Sequence, residues 1–309
     1  MKSKVSIIGA GHVGASTAEL VLQSGLADVL LFDIAEGMPQ GKALDLTEAA
    51  SLWNVSTSCR GTNDYADTAD SDVVVITAGF PRKPGMSRDD LLQANAGVMR
   101  NVAAETSRLS PEAITVVVTN PMDIMTYITW KVSGLNHRRV LGMGGVLDSS
   151  RFRTFVSMEL GVSPRDVEAV VLGGHGDLMV PLARLATVKG IPLESLVDEG
   201  RISELVDRTR KGGAEIVSLL KTGSAYYAPA AAIFEMVRAI LLDEKRILPC
   251  SAYLAGEYGL EEIFMGVPVM LGREGAERII EVGLTDAEKR EFSRSAAATR
   301  ELLDKVLPE

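Results

Sequence analysis

The stretch Gly173-Gly174-His175-Gly176-Asp177 sets one of the three histidines of this 309-residue chain among glycines, directly after an apolar run over 167–172. An imidazole, with an ordinary pKa of about 6.5, gives or takes a proton close to neutrality, and flanking glycines let a substrate approach the backbone. His175 is therefore the first candidate acid and base; a glycine turn that happens to hold a histidine is the alternative. Upstream, Asp148 and Arg151 are three residues apart and share a face if their segment is helical. That spacing suits a local ion pair. It suits equally an acid that orients His175 and a guanidinium that grips a carboxylate through two parallel bonds, and spacing alone leaves both open. A third group of chemical residues lies in Phe80-Pro81-Arg82-Lys83-Pro84-Gly85-Met86-Ser87-Arg88, just before Asp89-Asp90. This segment reads as a lid with glycine hinges, carrying Arg82 and Arg88, or as an exposed basic loop.

The elements that must position these groups begin at the N-terminus. Val5 to Ile8 is an apolar run leading into Gly9-Ala10-Gly11-His12-Val13-Gly14, after which Ala15, Ala18, Leu20, Val21 and Leu22 predict a helix. A second run, Val29 to Phe32, ends at Asp33, 19 residues beyond Gly14. Strand, glycine turn, helix and an acid at about 20 residues form the pattern of a dinucleotide site. The first glycine permits the tight turn, the second lets backbone approach a pyrophosphate, and the third lets helix and strand pack. The helix N-terminus then offers free N–H groups and the positive end of its dipole. A carboxylate at Asp33 would receive ribose hydroxyls and repel a 2′-phosphate, which favours NAD over NADP; the plainer alternative is an acid that starts a turn. Further apolar runs at Val73 to Ile76 and Ile114 to Val118, separated by a predicted helix from Asp89 to about Arg108, imply a parallel sheet with right-handed crossovers. Ligands of such sheets bind beyond the carboxyl ends of the strands, where Thr77-Ala78-Gly79 and Thr119-Asn120-Pro121 fall. Asn120 is thus placed beside a cofactor, with a helix N-cap for 122–132 as a compatible second role.

Composition narrows the partners. At 46% hydrophobic and 24% charged residues the chain suits one large core or two adjoining ones, and a formal net charge of −9 argues against broad nucleic-acid binding. An anionic ligand must then find locally placed arginines. Cys59 and Cys250 have neither metal-ligand spacing nor a disulfide framework, so no metal site is expected and a reducing cytoplasmic setting is. Met1-Lys2-Ser3-Lys4 and the apolar run after it resemble a secretory signal, but Gly9 and the polar residues that follow fit a strand and helix better. No apolar segment approaches the roughly 20 residues of a membrane span. Beyond Asp148 the pattern is mixed, with strands expected at 167–172, 250–255 and 264–271 and helices at 202–220, 228–242 and 286–306. The last of these helices reads as core packing rather than partner binding.

Taken together, Gly9 to Gly14 with Asp33, Thr77-Ala78-Gly79 with the basic loop, Val118-Thr119-Asn120-Pro121, Leu147-Asp148-Ser149-Ser150-Arg151-Phe152 and Gly174-His175-Gly176-Asp177 resemble the lactate and malate dehydrogenase family over nearly the whole chain. More narrowly, they resemble its lactate-dehydrogenase-like malate dehydrogenase branch. The resemblance implies an α/β fold, a Rossmann-type doubly wound parallel sheet (1–146, NAD binding) followed by a mixed α+β substrate domain (147–309). It implies His175 as acid and base with Asp148 on its other ring nitrogen, Arg151 on the substrate carboxylate, and Arg88 polarising the carbonyl. Asn120 would bond the substrate. The implied cofactor contacts are Gly9, Gly11, His12, Val13, Gly14, Asp33, Thr77, Ala78, Gly79, Asn95, Val118 and Asn120, and the cofactor is NAD. Arg82 stands where lactate-type relatives usually carry Gln, so a dicarboxylate, malate or oxaloacetate, is the expected substrate, and Ala225 leaves room for it. Lactate or another 2-hydroxy acid is the nearest alternative, and a non-catalytic NAD sensor a more distant one. A homodimer or homotetramer, a cytoplasmic location and a place in the tricarboxylic acid cycle are further implications.

Overall fold

The computed structural model describes residues 2–80 and 87–307. Its first half is built on six parallel strands, β1 (Ser3–Ile8), β2 (Ala27–Phe32), β3 (Cys59–Thr62), β4 (Val73–Ile76), β5 (Ile114–Val117) and β6 (Val140–Gly142). Between them run α1 (His12–Ser24), α2 (Met38–Trp53), α3 (Arg88–Leu109) and α4 (Met122–Ser133). β4 and β5 are buried at every position, as expected of valine and isoleucine strands with helices on both faces. The strand order is β3-β2-β1-β4-β5-β6. Chain direction through the sheet therefore reverses between β1 and β4, and the crevice at their carboxyl ends is the place such sheets offer a ligand. α3 starts sharply because the Ser87 hydroxyl accepts from Asp90 N at 3.0 Å while the Asp90 carboxylate accepts from Ser87 N at 3.1 Å, a capping box.

The second half opens with α5 (Gly145–Leu160). Short strands follow, β7 (Val167–Glu168), β8 (Val171–Leu172), β9 (Val180–Pro181), β10 (Thr187–Val188) and β11 (Ile191–Pro192). Then come α6 (Glu199–Leu220), α7 (Tyr227–Leu241), the long antiparallel strands β12 (Arg246–Ala255), β13 (Glu261–Gly272) and β14 (Gly275–Ile279), and the closing helix α8 (Asp286–Asp304).

One feature differs from the sequence expectation, and two others position the site. The run over 167–172 is not one strand: β7 pairs with β10 and β8 with β9, in separate small sheets, and the two residues between them carry the chain across. α5 begins three residues before Asp148, so this acid sits in its first turn, where an anion complements the helix dipole. The late strands also build no sheet of their own. β12 joins β6 through Ser251 opposite Gly142, and a single nine-stranded sheet runs from β3 to β14. This continuity brings the Ser251 side chain of β12 to Asp123 and the Gly266 carbonyl of β13 to Gly173.

Candidate active site

The glycine turn is assembled as its spacing requires. Gly9, with φ of +108°, takes a backbone conformation that favours glycine. A Cβ there would lie 2.7 Å from Ala78 N and from Thr77 Oγ1, and one on Gly14 would lie 1.9 Å from Gly9 O. One on Gly11 would meet nothing within 4 Å. Protein packing thus demands the first and third glycines, while the second leaves open space above the backbone, the cradle a pyrophosphate fits. Thr77 ties the two strand ends together, its amide donating to Ile8 O at 2.8 Å and its hydroxyl to Gly9 O at 2.9 Å. Asp33 is fixed beside the turn, Oδ2 accepting from Ala10 N at 2.8 Å and Oδ1 from Ala35 N at 3.0 Å. His12 and Val13 open α1, and the His12 ring stacks on Tyr226, centroids 5.0 Å apart.

Asn95, 1% exposed, has its amide engaged by backbone: Oδ1 accepts from Phe80 N at 2.8 Å and Nδ2 donates to Asn120 O at 2.8 Å. It thereby joins the segments after Gly79 and after Val118. The capping role expected of Asn120 is corrected, because the N-cap of α4 is Pro121 and no side chain caps it. Arg82 lies outside the described residues; Arg88 opens α3, and its side chain likewise lies outside what is described.

The histidine end is built from side chains of distant segments. Asp148 is 1% exposed, and its two oxygens face different partners: Oδ2 lies 2.8 Å from His175 Nδ1, and Oδ1 accepts from Arg151 Nη1 at 3.2 Å. The local ion pair with Arg151 and the contact with His175 are thus present together. A carboxylate only accepts, so Nδ1 carries the proton of the neutral imidazole and Nε2 is left as the exchanging nitrogen. The Arg151 side chain is 13% exposed, and its Nε is buried with no hydrogen-bond partner. It lies against the glycine pair of α6, where a Cβ on Gly212 would come 3.0 Å from Arg151 Cδ.

The backbone of the histidine loop is pinned residue by residue. Gly173 N donates to Gly266 O of β13 at 2.9 Å, Gly174 N to Ser295 Oγ of α8 at 2.9 Å, and His175 N to Asp123 Oδ2 of α4 at 2.8 Å. Asp123, 3% exposed, also accepts from Ser251 Oγ of β12 at 2.6 Å. Burial draws the His175 pKa down; the charge and hydrogen bond of Asp148, with Asp123 behind it, outweigh that and the opposing Arg151, so the imidazole titrates above its ordinary value. Burial raises Asp123 above the usual carboxylate range, against the bonds it accepts.

Sequence reasoning missed Asp123, Ser251 and Ser295. Asp123 follows Thr119-Asn120-Pro121 and had the signal of a first-turn acid, which ordinarily reads as dipole complement. The two serines carried none. α8 consequently does more than pack, since it supplies one of the pins.

A pinned imidazole with a buried carboxylate on Nδ1, a guanidinium alongside with an unsatisfied N–H, and an open glycine cradle form a set suited to moving a proton on an anionic substrate beside a dinucleotide. Known proteins share this build. Residues 3–142 match the family model for the lactate/malate dehydrogenase NAD binding domain, and residues 145–309 that for the lactate/malate dehydrogenase alpha/beta C-terminal domain. A malate dehydrogenase of Desulforudis audaxviator is 57% identical over 302 residues, 98% of each chain. The crystal structure of Cryptosporidium parvum malate dehydrogenase superposes with a TM-score of 0.97 at 46% identity, covering 99% of both chains. The lactate dehydrogenase of the same organism, solved with lactic acid and nicotinamide adenine dinucleotide, does so at 0.96 and 44% identity, covering 100% of this chain and 99% of that one.

Proposed function

The chain belongs to the lactate/malate dehydrogenase family, and from that premise we propose that it catalyses reversible hydride transfer between (S)-malate and NAD+, giving oxaloacetate and NADH. The observation that carries this reading is the buried line His175, Asp148, Arg151. NAD, when bound, takes the hydride from C2 of the substrate or returns it.

The chain's own residues supply the rest. Asp148 keeps the proton on Nδ1, so His175 Nε2 removes the hydroxyl proton during oxidation and, once protonated, donates it to the carbonyl oxygen in reduction. Arg151 grips the carboxylate next to C2. A buried donor without an acceptor costs about 1–3 kcal/mol, and a carboxylate on Arg151 Nε removes that cost. Arg88 polarises the carbonyl, and Asn120 bonds the substrate. Gly9, Gly11, His12, Val13, Gly14, Thr77, Ala78, Gly79 and Val118 line the dinucleotide, Asp33 takes its ribose hydroxyls, and Asn95 acts by holding the Phe80 and Asn120 segments. The division of labour falls at 146/147. Arg82 pairs with the second carboxylate; pyruvate would leave that guanidinium unpaired, which gives discrimination on the order of 10³.

A homodimer or homotetramer is supported by apolar side chains left exposed on α2 and α6, Leu52 at 86% and Leu219 at 75% among them. No helix among the described residues is long and apolar enough to cross a membrane, and Cys59 and Cys250 are free, which suits the cytoplasm. The test is loss of NADH absorbance with oxaloacetate, pyruvate or 2-oxoisocaproate as acceptor. Oxaloacetate should lead by about three orders of magnitude. Preference for either monocarboxylate would replace malate by another 2-hydroxy acid, and NADH binding with no turnover on any acceptor would make the protein a sensor. Arg82→Gln should move the ratio toward pyruvate.

A further inference from the structure

Lys42, in the first half of α2, donates from Nζ to Ala10 O at 2.6 Å. The amide of the same residue donates to Asp33 Oδ2 at 2.8 Å. One peptide-bearing residue of the glycine turn thus carries a carboxylate on its N–H and an ammonium on its C=O. An ammonium has three donors, and the described bonds engage one of them here.

Both groups are firmly placed. Asp33 is held by Ala35 N as well as Ala10 N, and Asn63 Nδ2 bonds the carbonyls of Asp33 and Ala35 at 2.7 and 3.1 Å while Gln40 Nε2 bonds Asn63 Oδ1 at 2.6 Å. The start of α2 is seated against β3, where a Cβ on Gly61 would lie 2.2 Å from Pro39 C. Lys42, one helical turn further, therefore reaches the turn from a fixed base. Lys42 and Asp33 thus both bond Ala10, one at its carbonyl and the other at its amide, which sets an ammonium and a carboxylate on the same residue of the glycine turn.

We propose that Lys42 is a second determinant of dinucleotide choice, a phosphate-binding cation beside Asp33. Asp33 accepts the hydroxyls of an unphosphorylated ribose and repels a 2′-phosphate dianion. With that carboxylate removed, Lys42 supplies the charge for the 2′-phosphate of NADPH, so the site stands one substitution from accepting it. The proposal rests on the reading of Asp33 as the ribose carboxylate. The competing role for Lys42 is a staple between α2 and the turn, which would support either dinucleotide alike.

Fluorescence titration with NADH and NADPH separates the two. Asp33→Ser should tighten NADPH by about tenfold or more relative to the unaltered protein. Adding Lys42→Met should return the NADPH to NADH affinity ratio toward NADH by about tenfold or more, and Lys42→Arg in the same background should preserve the gain. An Asp33→Ser protein no better at binding NADPH, or a Lys42→Met change that weakens both dinucleotides by one factor and leaves the ratio fixed, would overturn the proposal. Titration needs no turnover. A protein that binds dinucleotides as described but reduces no oxaloacetate would end the malate reading while leaving the Lys42 result standing.

Discussion

The two ends of the crevice work by different means. At the glycine turn the open space above Gly11 is bounded by backbone, and the residues that shape it, Gly9 to Gly14 with Asp33 nearby, are close in sequence apart from Thr77 and Ala78. At the histidine end the groups are side chains from α4, α5, β12 and α8 converging on one loop. Backbone donors at a helix N-terminus tolerate change in neighbouring side chains as long as the space remains. A buried polar network is costly to leave half satisfied, so each member matters beyond its own bond. The turn is therefore sensitive to volume and the histidine loop to chemistry.

The sharpest test of that contrast is His175→Asn. It keeps much of the shape and removes the proton exchange, so turnover should fall by roughly 10²–10⁴-fold while NADH affinity, read by fluorescence, stays near its original value. Near-normal turnover would refute His175 as acid and base. Asp148→Asn comes next, with a fall of about 10²-fold or more and a displaced pH profile. His175 titrates above its ordinary value because the carboxylates outweigh burial. Reduction needs the imidazolium, so kcat/KM for oxaloacetate should hold at low pH and decline as pH rises through the His175 pKa, and malate oxidation should do the reverse. Removing the Asp148 charge leaves burial and Arg151 opposed by Asp123 alone, and both limbs should move to lower pH. A profile that stays in place would separate Asp148 from the histidine's titration.

At the other end, Gly14→Ala and Gly11→Ala should part company. The first forces a Cβ to 1.9 Å from Gly9 O, and overpacking of this kind costs toward the upper end of about 1–3 kcal/mol, seen as a lowered Tm without any ligand. The second meets nothing within 4 Å, so stability should hold and NADH affinity alone should drop. Equal stability losses would show that the turn is shaped by protein packing throughout.

The same contrast explains what could be read in advance. The strand, glycine turn, helix and Asp33 lie in one stretch, so the dinucleotide site and four of the six parallel strands were legible from residue spacing, whereas β3, β6 and α2 were not. Asp148 and Arg151 were visible as a pair, but their spacing could not say that one carboxylate oxygen faces Arg151 and the other His175. Asp123 looked like an ordinary first-turn acid, and its burial against Ser251 depends on β12 entering the sheet beside β6, a long-range pairing without a local signal. The broken strand over 167–172 was likewise decided by partners, β10 and β9, rather than by its own apolar run.

The smallest effect tests the most distant pin. Ser295, 1% exposed on α8, accepts from Gly174 N across 121 residues of chain. Ser295→Ala leaves that amide without its acceptor, and the loss should be about 1 kcal/mol. If the bond serves only to hold α8, the loss appears in Tm and turnover is unchanged. If it holds the histidine loop in register with Asp148, kcat falls several-fold with little change in NADH affinity, and Ser295→Thr, which keeps the hydroxyl, recovers it. The neighbouring bonds to Gly266 and Asp123 remain in either variant, so the loop stays tethered and the readout is its alignment rather than its folding. A kcat that follows the hydroxyl would make α8 part of the proton-transfer apparatus, even though it contributes no side chain to the His175, Asp148 and Arg151 line itself.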